Sequence, residues 1–213
     1  MELALLERPL MRGWLHTATF IVAIPAVVLL LLSTDHAAAR VAASLYGASL
    51  LLVFGTSAAY HRLAHSPKAR VVMGRLDRSM IYLLIVGTNI PLCLVALPPA
   101  WGIPLLATMG ALAAFGIVLT STNVAWGRKI ASALYLVLGW SVLVASPALI
   151  DHLDGRELTL VIAGGLLYTI GFPVLALNRP DPWPRTFGYH EIWHVFTVLA
   201  AASHFVAVAS IVS

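Results

Sequence analysis

Apolar residues run along this chain for about twenty positions at a time, separated by short polar stretches. Crossing a bilayer as a helix takes roughly 20 mostly apolar residues. Seven stretches meet that requirement: 17–33, 41–60, 79–97, 103–123, 130–150, 158–178 and 190–212. The connections between them are short and leave no room for a separate soluble domain. Pro25, Pro91 and Pro173 fall within spans, where kinks are tolerated because neighbouring helices satisfy the freed backbone groups. There is no internal repeat and no low-complexity tract. The pattern predicts an all-α polytopic membrane protein, one seven-transmembrane helix bundle occupying residues 1–213.

Composition supports this reading. The chain is 60% hydrophobic and 10% charged, with a mean hydropathy of +0.91. An ordinary soluble domain is about 45–50% apolar and about 25% charged. The first apolar run is long enough to span and lacks a small-residue cleavage pattern after it, so it is expected to be retained. Cys93 is the only cysteine, which excludes an intrachain disulfide. Its place inside an apolar run predicts a small buried thiol.

The distribution of charge predicts direction. Lys and Arg concentrate on the cytoplasmic side of membrane proteins. Eleven of the thirteen basic residues lie in the N-terminal tail and the loops after spans 2, 4 and 6. Only Arg40 and Arg156 lie on the other side, beside Asp35, Asp151, Asp154 and Glu157. The N-terminus is therefore expected inside and the C-terminus outside. Basic loops of this kind set topology and contact anionic lipid headgroups. No basic stripe on a soluble module suggests nucleic-acid binding.

Ionisable residues within or at the ends of spans are costly and mark function by default. Three groups stand out. Ser57 and His61, in "SAAYH", share one helix face at the end of span 2. Asp77 stands at the entrance of span 3. His190 and His194, in "HEIWH", share a face at the start of span 7. By the charge-derived topology all three groups lie at one membrane face. Three neutral imidazoles and one water make an open tetrahedral zinc site. His190 and His194 can hold one ion from a single helix, and His61 can supply the third ligand. Asp77 can orient the water and accept its proton, and Ser57 can bond Asp77 or a substrate oxygen. Each residue also has an ordinary reading. The histidines can be interfacial, Asp77 can pair with Arg75 or Arg78, and Ser57 can bond back to its own helix.

"HEIWH" also fits H-E-x-x-H, the zinc-protease pattern. A zincin needs a third ligand, commonly further along the chain. After His194 no carboxylate follows, and His204 lies ten residues on. That is ~15 Å along a helix, too far to share an ion. The third ligand must then come from upstream, and Glu191 is not the required base. It is expected to face a loop or headgroups, or to support the ligands from behind.

These motifs resemble the bacterial hemolysin III proteins, which are related to the adiponectin and progestin receptors (the PAQR family) and more distantly to alkaline ceramidases. The resemblance rests on "RGWLH" before span 1, "SAAYH", "LDRSMIYLLIVGTNIP" in span 3 and "HEIWHVFTVLAAASHF" in span 7. It implies a seven-helix fold with the N-terminus inside, in a bacterial inner membrane. It also implies a zinc ion near the cytoplasmic face held by His61, His190 and His194, with Asp77 at its water and Ser57 beside it. The chain departs from the family at Arg78, at Gly87-Thr88-Asn89-Ile90-Pro91 and at Arg12-Gly13-Trp14-Leu15. These differences leave the zinc core intact and change the lining of the access path. His16 lies at the same face, either interfacial or supporting the ligands. The leading expectation is a zinc-dependent hydrolase of a lipid amide or ester. The alternatives are a bilayer sensor with structural zinc, and a pore-forming hemolysin. Oligomeric state is not legible in the sequence.

Overall fold

The computed structural model describes residues 8–122 and 125–213. The side chains of Ala125 and Arg128 lie outside what is described, and with them one of the basic residues used above to set direction. The described chain is helical almost throughout: α1 (Trp14–Leu32), α2 (Ala37–Leu63), α3 (Pro67–Pro91), α4 (Pro99–Ser121), α5 (Ala125–Trp140), α6 (Ser146–His152), α7 (Gly155–Leu177) and α8 (Tyr189–Val212). Seven segments are long and apolar enough to cross a membrane, with α5 and α6 forming one of them. The fold is a seven-span membrane bundle. The only β pairing among the described residues is an isolated bridge between Trp183 and Phe187.

Two spans differ from the sequence expectation. The third begins at Pro67 instead of near residue 79. Ser66 accepts from the Ala69 backbone N–H at 3.1 Å, and Pro67 occupies the first helical turn. This is a strong helix start, and the charged residues after it do not interrupt the hydrogen-bond ladder. Asp77 therefore lies well inside a continuous helix, ~15 Å from its start. The fifth span is not a single helix. A 3₁₀ segment, Ser141–Ala145, separates α5 from α6. Pro147 follows it, and a proline cannot donate to the preceding turn and clashes with it. Pro91 has a related effect on α3. The helix continues as a π-turn, Leu92–Ala96, closed by the Leu97 N–H donating to the Leu92 carbonyl at 2.8 Å.

The outer surface is apolar. Ile21, Leu29, Ile150 and Ile170 are each more than half exposed, as side chains facing lipid are. Lipid tails are as apolar as leucine, so burial of these side chains does not drive the helices together. Close packing and small residues at the contacts do. On α2 the buried face is Ala39, Ala42, Ala43 and Gly47, below the large side chains Tyr46 and Phe54. Among the described glycines the closest approach is between α4 and the π-turn, where a Cβ on Gly102 would run into the Cys93 carbonyl oxygen. Cys93 itself is buried and free, as its place in an apolar run predicts.

Gly102→Ala should therefore destabilise the bundle by about 1–3 kcal/mol, the usual range for overpacking. Gly110→Ala, on the same helix where an added Cβ meets nothing within 4 Å, should be neutral or slightly stabilising. Thermal unfolding midpoints of the two variants in one detergent compare them directly.

Candidate metal centre

The last turns of α2, the first turns of α8 and the start of α1 meet at one end of the bundle. His190 and His194 project from one face of α8, and His61 reaches them from α2. The His61 ring lies 4.8 Å from that of His190 and 5.2 Å from that of His194, and the two α8 rings are 4.5 Å apart, centroid to centroid. One nitrogen from each ring falls within 4.8 Å of the others. His61 and His194 are buried and His190 is half-buried.

The group fits a tetrahedral metal ion. Zinc–nitrogen bonds of about 2.0–2.1 Å set ligand nitrogens about 3.3 Å apart in tetrahedral geometry, and the Nε2 atoms of His61 and His190 are 3.1 Å apart. Either one of these rings donates to the other, or both lone pairs face a cation. His194 Nδ1 is buried with no hydrogen-bond partner, which leaves part of this ring's capacity unspent. Three imidazoles are also the donor set that suits zinc and similar divalent transition ions.

His16, near the start of α1, is buried rather than interfacial. Its ring stacks on His194 with centroids 3.6 Å apart and planes 13° from parallel. Phe54 meets the ring edge-on at 5.0 Å. The Thr197 hydroxyl donates to the His194 carbonyl at 2.9 Å, so its oxygen accepts from His16 Nε2–H at 3.0 Å. His16 thus holds the His194 ring in place. Thr197 is a residue that sequence reasoning missed, although it lies three positions after His194 on the same helix face.

Ser57 is buried one turn before His61. Its hydroxyl is the hydrogen-bonding neighbour of the half-buried Asp77 carboxylate. Asp77 is not one of the three-histidine group.

Glu191 corrects the sequence expectation. It is fully buried and so does not face headgroups. One carboxylate oxygen accepts from the Gly188 N–H at 2.9 Å, and the other meets Arg12 Nε at 2.5 Å. The first turn of a helix leaves its N–H groups without partners, and a carboxylate there satisfies one and suits the helix dipole. Glu191 is therefore occupied in capping α8 and pairing with Arg12.

Arg12 belongs to a short N-terminal segment that ties together the helix ends carrying the three histidines. Leu10 and Met11 donate backbone hydrogen bonds to Arg185 and Thr186, in the loop before α8, at 3.0 and 3.1 Å. Arg8 donates to the carbonyls of His61 and Ala64 at 2.5 and 2.7 Å, closing the C-terminal end of α2. Gly13 has φ of 83°, and a Cβ there would stand 2.6 Å from that of His61. Only glycine takes this left-handed conformation freely. In the sequence, Arg8 registers only as positive charge, and Arg12 only as charge and as the first letter of "RGWLH".

With this geometry in view, the Haemolysin-III related family profile matches residues 5–205 of the chain. Hemolysin-3 of Bacillus cereus is 35% identical over 196 residues, covering 91% of this chain and 86% of that protein. A Hemolysin-3 homolog of Bacillus subtilis is 31% identical over 196 residues, covering 91% and 89%. More distantly, the Heptahelical transmembrane protein ADIPOR2 of Oryza sativa is 30% identical over 169 residues, covering 71% of this chain and 73% of that one.

Glu191→Ala should cost about 3–5 kcal/mol, because it leaves Arg12 without its counter-charge. The expected readout is a lower unfolding midpoint in detergent, with the metal content of the folded fraction unchanged. A reacting carboxylate would give the reverse: unchanged stability with turnover lost.

Proposed function

This chain belongs to the haemolysin-III-related family, and from that premise we propose that it is a zinc-dependent hydrolase of a lipid amide or ester. One observation carries the reading: three imidazoles converge on a single point, with Ser57, the neighbour of Asp77, one helical turn before His61, inside an apolar seven-span bundle. His61, His190 and His194 would hold the ion. Zinc so bound supplies Lewis acidity, making a water nucleophilic near neutral pH and polarising a carbonyl.

The remaining steps belong to this chain's own groups. An Asp77 carboxylate oxygen accepts the proton of the attacking water and returns it to the leaving amine or alcohol, as a general base and then acid. The Ser57 hydroxyl fixes the orientation of that carboxylate. His16 and Thr197 fix His194, while Arg8 and Gly13 fix His61, so the donors are set before substrate arrives. The surrounding lipid-facing surface supports a substrate that enters from the bilayer and leaves its tail among the helices. The Lys and Arg distribution supports placing this end of the bundle at the cytoplasmic face, with the N-terminus inside.

A second reading has its own support. The three histidines join α2 to α8, so an ion here would also staple two helices, and zinc could serve stability alone. The two roles separate on titration with a chelator. A catalytic ion is lost with turnover while the fold survives, whereas a structural ion is lost with the fold.

Purified wild-type protein should carry about one zinc per chain, falling close to zero in His61→Ala and His194→Ala. Asp77→Asn should keep the metal and lose about 10²- to 10⁴-fold in turnover across a panel of lipid amides and esters. Zinc retained in full by His61→Ala, or full turnover by Asp77→Asn, would rule the mechanism out.

A further inference from the structure

Arginines crowd the end of the bundle where α2 stops. Arg8 donates to the carbonyls of His61 and Ala64, and Arg70, in the first turns of α3, donates to the same Ala64 carbonyl at 3.4 Å. Two guanidiniums thus converge on one oxygen. Arg62 lies over the Trp14 ring, 4.4 Å from its centroid, and Arg8 lies over the Tyr60 ring at 5.9 Å. Arg12 is also close, and its charge is taken up by Glu191. No described carboxylate pairs with Arg8, Arg62 or Arg70.

The charge here does not balance. The C-terminal end of a helix offers about −0.5 elementary charge, so the end of α2 offsets less than one of the three guanidiniums. Burial first, and then the neighbouring charge of Arg70, lowers the Arg8 pKa from its ordinary value, with Arg12 and Arg62 adding to the effect. Donors are unspent as well. A guanidinium carries five N–H groups. Toward described residues Arg8 uses two of them in hydrogen bonds, Arg70 uses one, and Arg62 uses none. Arg8 and Arg70 are half-buried and fixed by backbone carbonyls. Fixed guanidinium forks without a counter-charge suit a phosphate group, whose oxygens accept such bonds in pairs.

The surroundings are those of a bilayer. Trp14 begins an exposed face of α1 that continues at helical spacing through Ala18, Ile21, Pro25 and Val28. This apolar track starts beside Arg62 and runs ~21 Å along the helix, longer than the ~15 Å that the chains of one leaflet occupy. Tryptophan rings favour the headgroup level.

We propose that Arg8, Arg62 and Arg70 form a binding site for the phosphate of an anionic phospholipid, with an acyl chain lying along the exposed face of α1 beyond Trp14. The site takes one lipid at one place, which separates it from the general attraction of basic loops to a charged bilayer. It needs no metal.

The test titrates the purified full chain in a non-ionic detergent at physiological salt, where exposed charges more than about 8 Å apart are largely screened. The probes are dioctanoyl phosphatidylglycerol, dioctanoyl phosphatidylcholine and glycerol phosphate, with binding read by calorimetry. Phosphatidylglycerol should bind saturably and more tightly than either of the others. Arg62→Gln combined with Arg70→Gln should weaken it by about tenfold or more, the worth of a hydrogen bond to a charged group. Removing the same charge elsewhere at this end of the bundle, with Lys129→Gln and Arg179→Gln, should leave it nearly unchanged. Equal losses in the two double variants overturn the proposal. So does wild-type protein that binds phosphatidylglycerol no more tightly than phosphatidylcholine, whatever the variants do. Glycerol phosphate bound as tightly as the lipid assigns the arginines to a soluble phosphate and overturns the lipid assignment.

Discussion

A bundle in hydrocarbon has no water to satisfy a stray polar atom, so each buried N, O or ring nitrogen must find its partner inside the protein. Most of the polar side chains in the spans comply locally. Thr88, Thr120 and Ser79 donate to carbonyls one turn back on their own helices, and the Tyr82 hydroxyl crosses to the Ala131 carbonyl. Against that background the exceptions are informative. Five buried atoms of the described residues have no partner: His16 Nδ1 and His194 Nδ1 at the histidine cluster, and Tyr46 Oη, Asn89 Oδ1 and His204 Nδ1 elsewhere in the bundle. One of the five, His194 Nδ1, belongs to a ring of the three-histidine group that could hold an ion.

The same constraint explains the architecture around the cluster. Helix ends leave backbone groups without partners, and here three ends meet. Arg8 closes the end of α2 and Glu191 the start of α8. Arg12 balances the buried charge of Glu191. These groups touch the ligand-bearing turns without offering ligands. Their effect is to reduce the freedom of the turns that carry His61 and His190. Glu191 stands one residue from His190 because that is where α8 begins, and the beginning of a helix needs an acceptor.

The spans were legible because length and apolarity are one-dimensional properties, and the seven segments of the structure overlap the seven read from the chain. The breaks within them were less legible. Pro147 stands in the fifth span just as Pro91 stands in the third, yet one gives a 3₁₀ segment and the other a π-turn. The outcome depends on what packs beside the freed carbonyls, such as Gly102 against Cys93. The start of α3 was misplaced for a different reason. Charged residues end an apolar run without ending a helix, and Ser66-Pro67 carries the stronger signal.

By itself, the sequence determined that the chain spans a membrane seven times. Helical spacing also fixed that Ser57 and His61 share a face, as do His190 and His194. These are consequences of hydropathy and of 3.6 residues per turn, and they act within a single segment. Tertiary structure alone decided what crosses between segments: His61 against His190, His16 stacked on His194, Ser57 beside Asp77, and Arg12 in contact with Glu191. Those contacts depend on how helices far apart in the chain are rotated and staggered. Small residues, kinks and helix-end hydrogen bonds set that rotation jointly, and no local stretch of sequence records it.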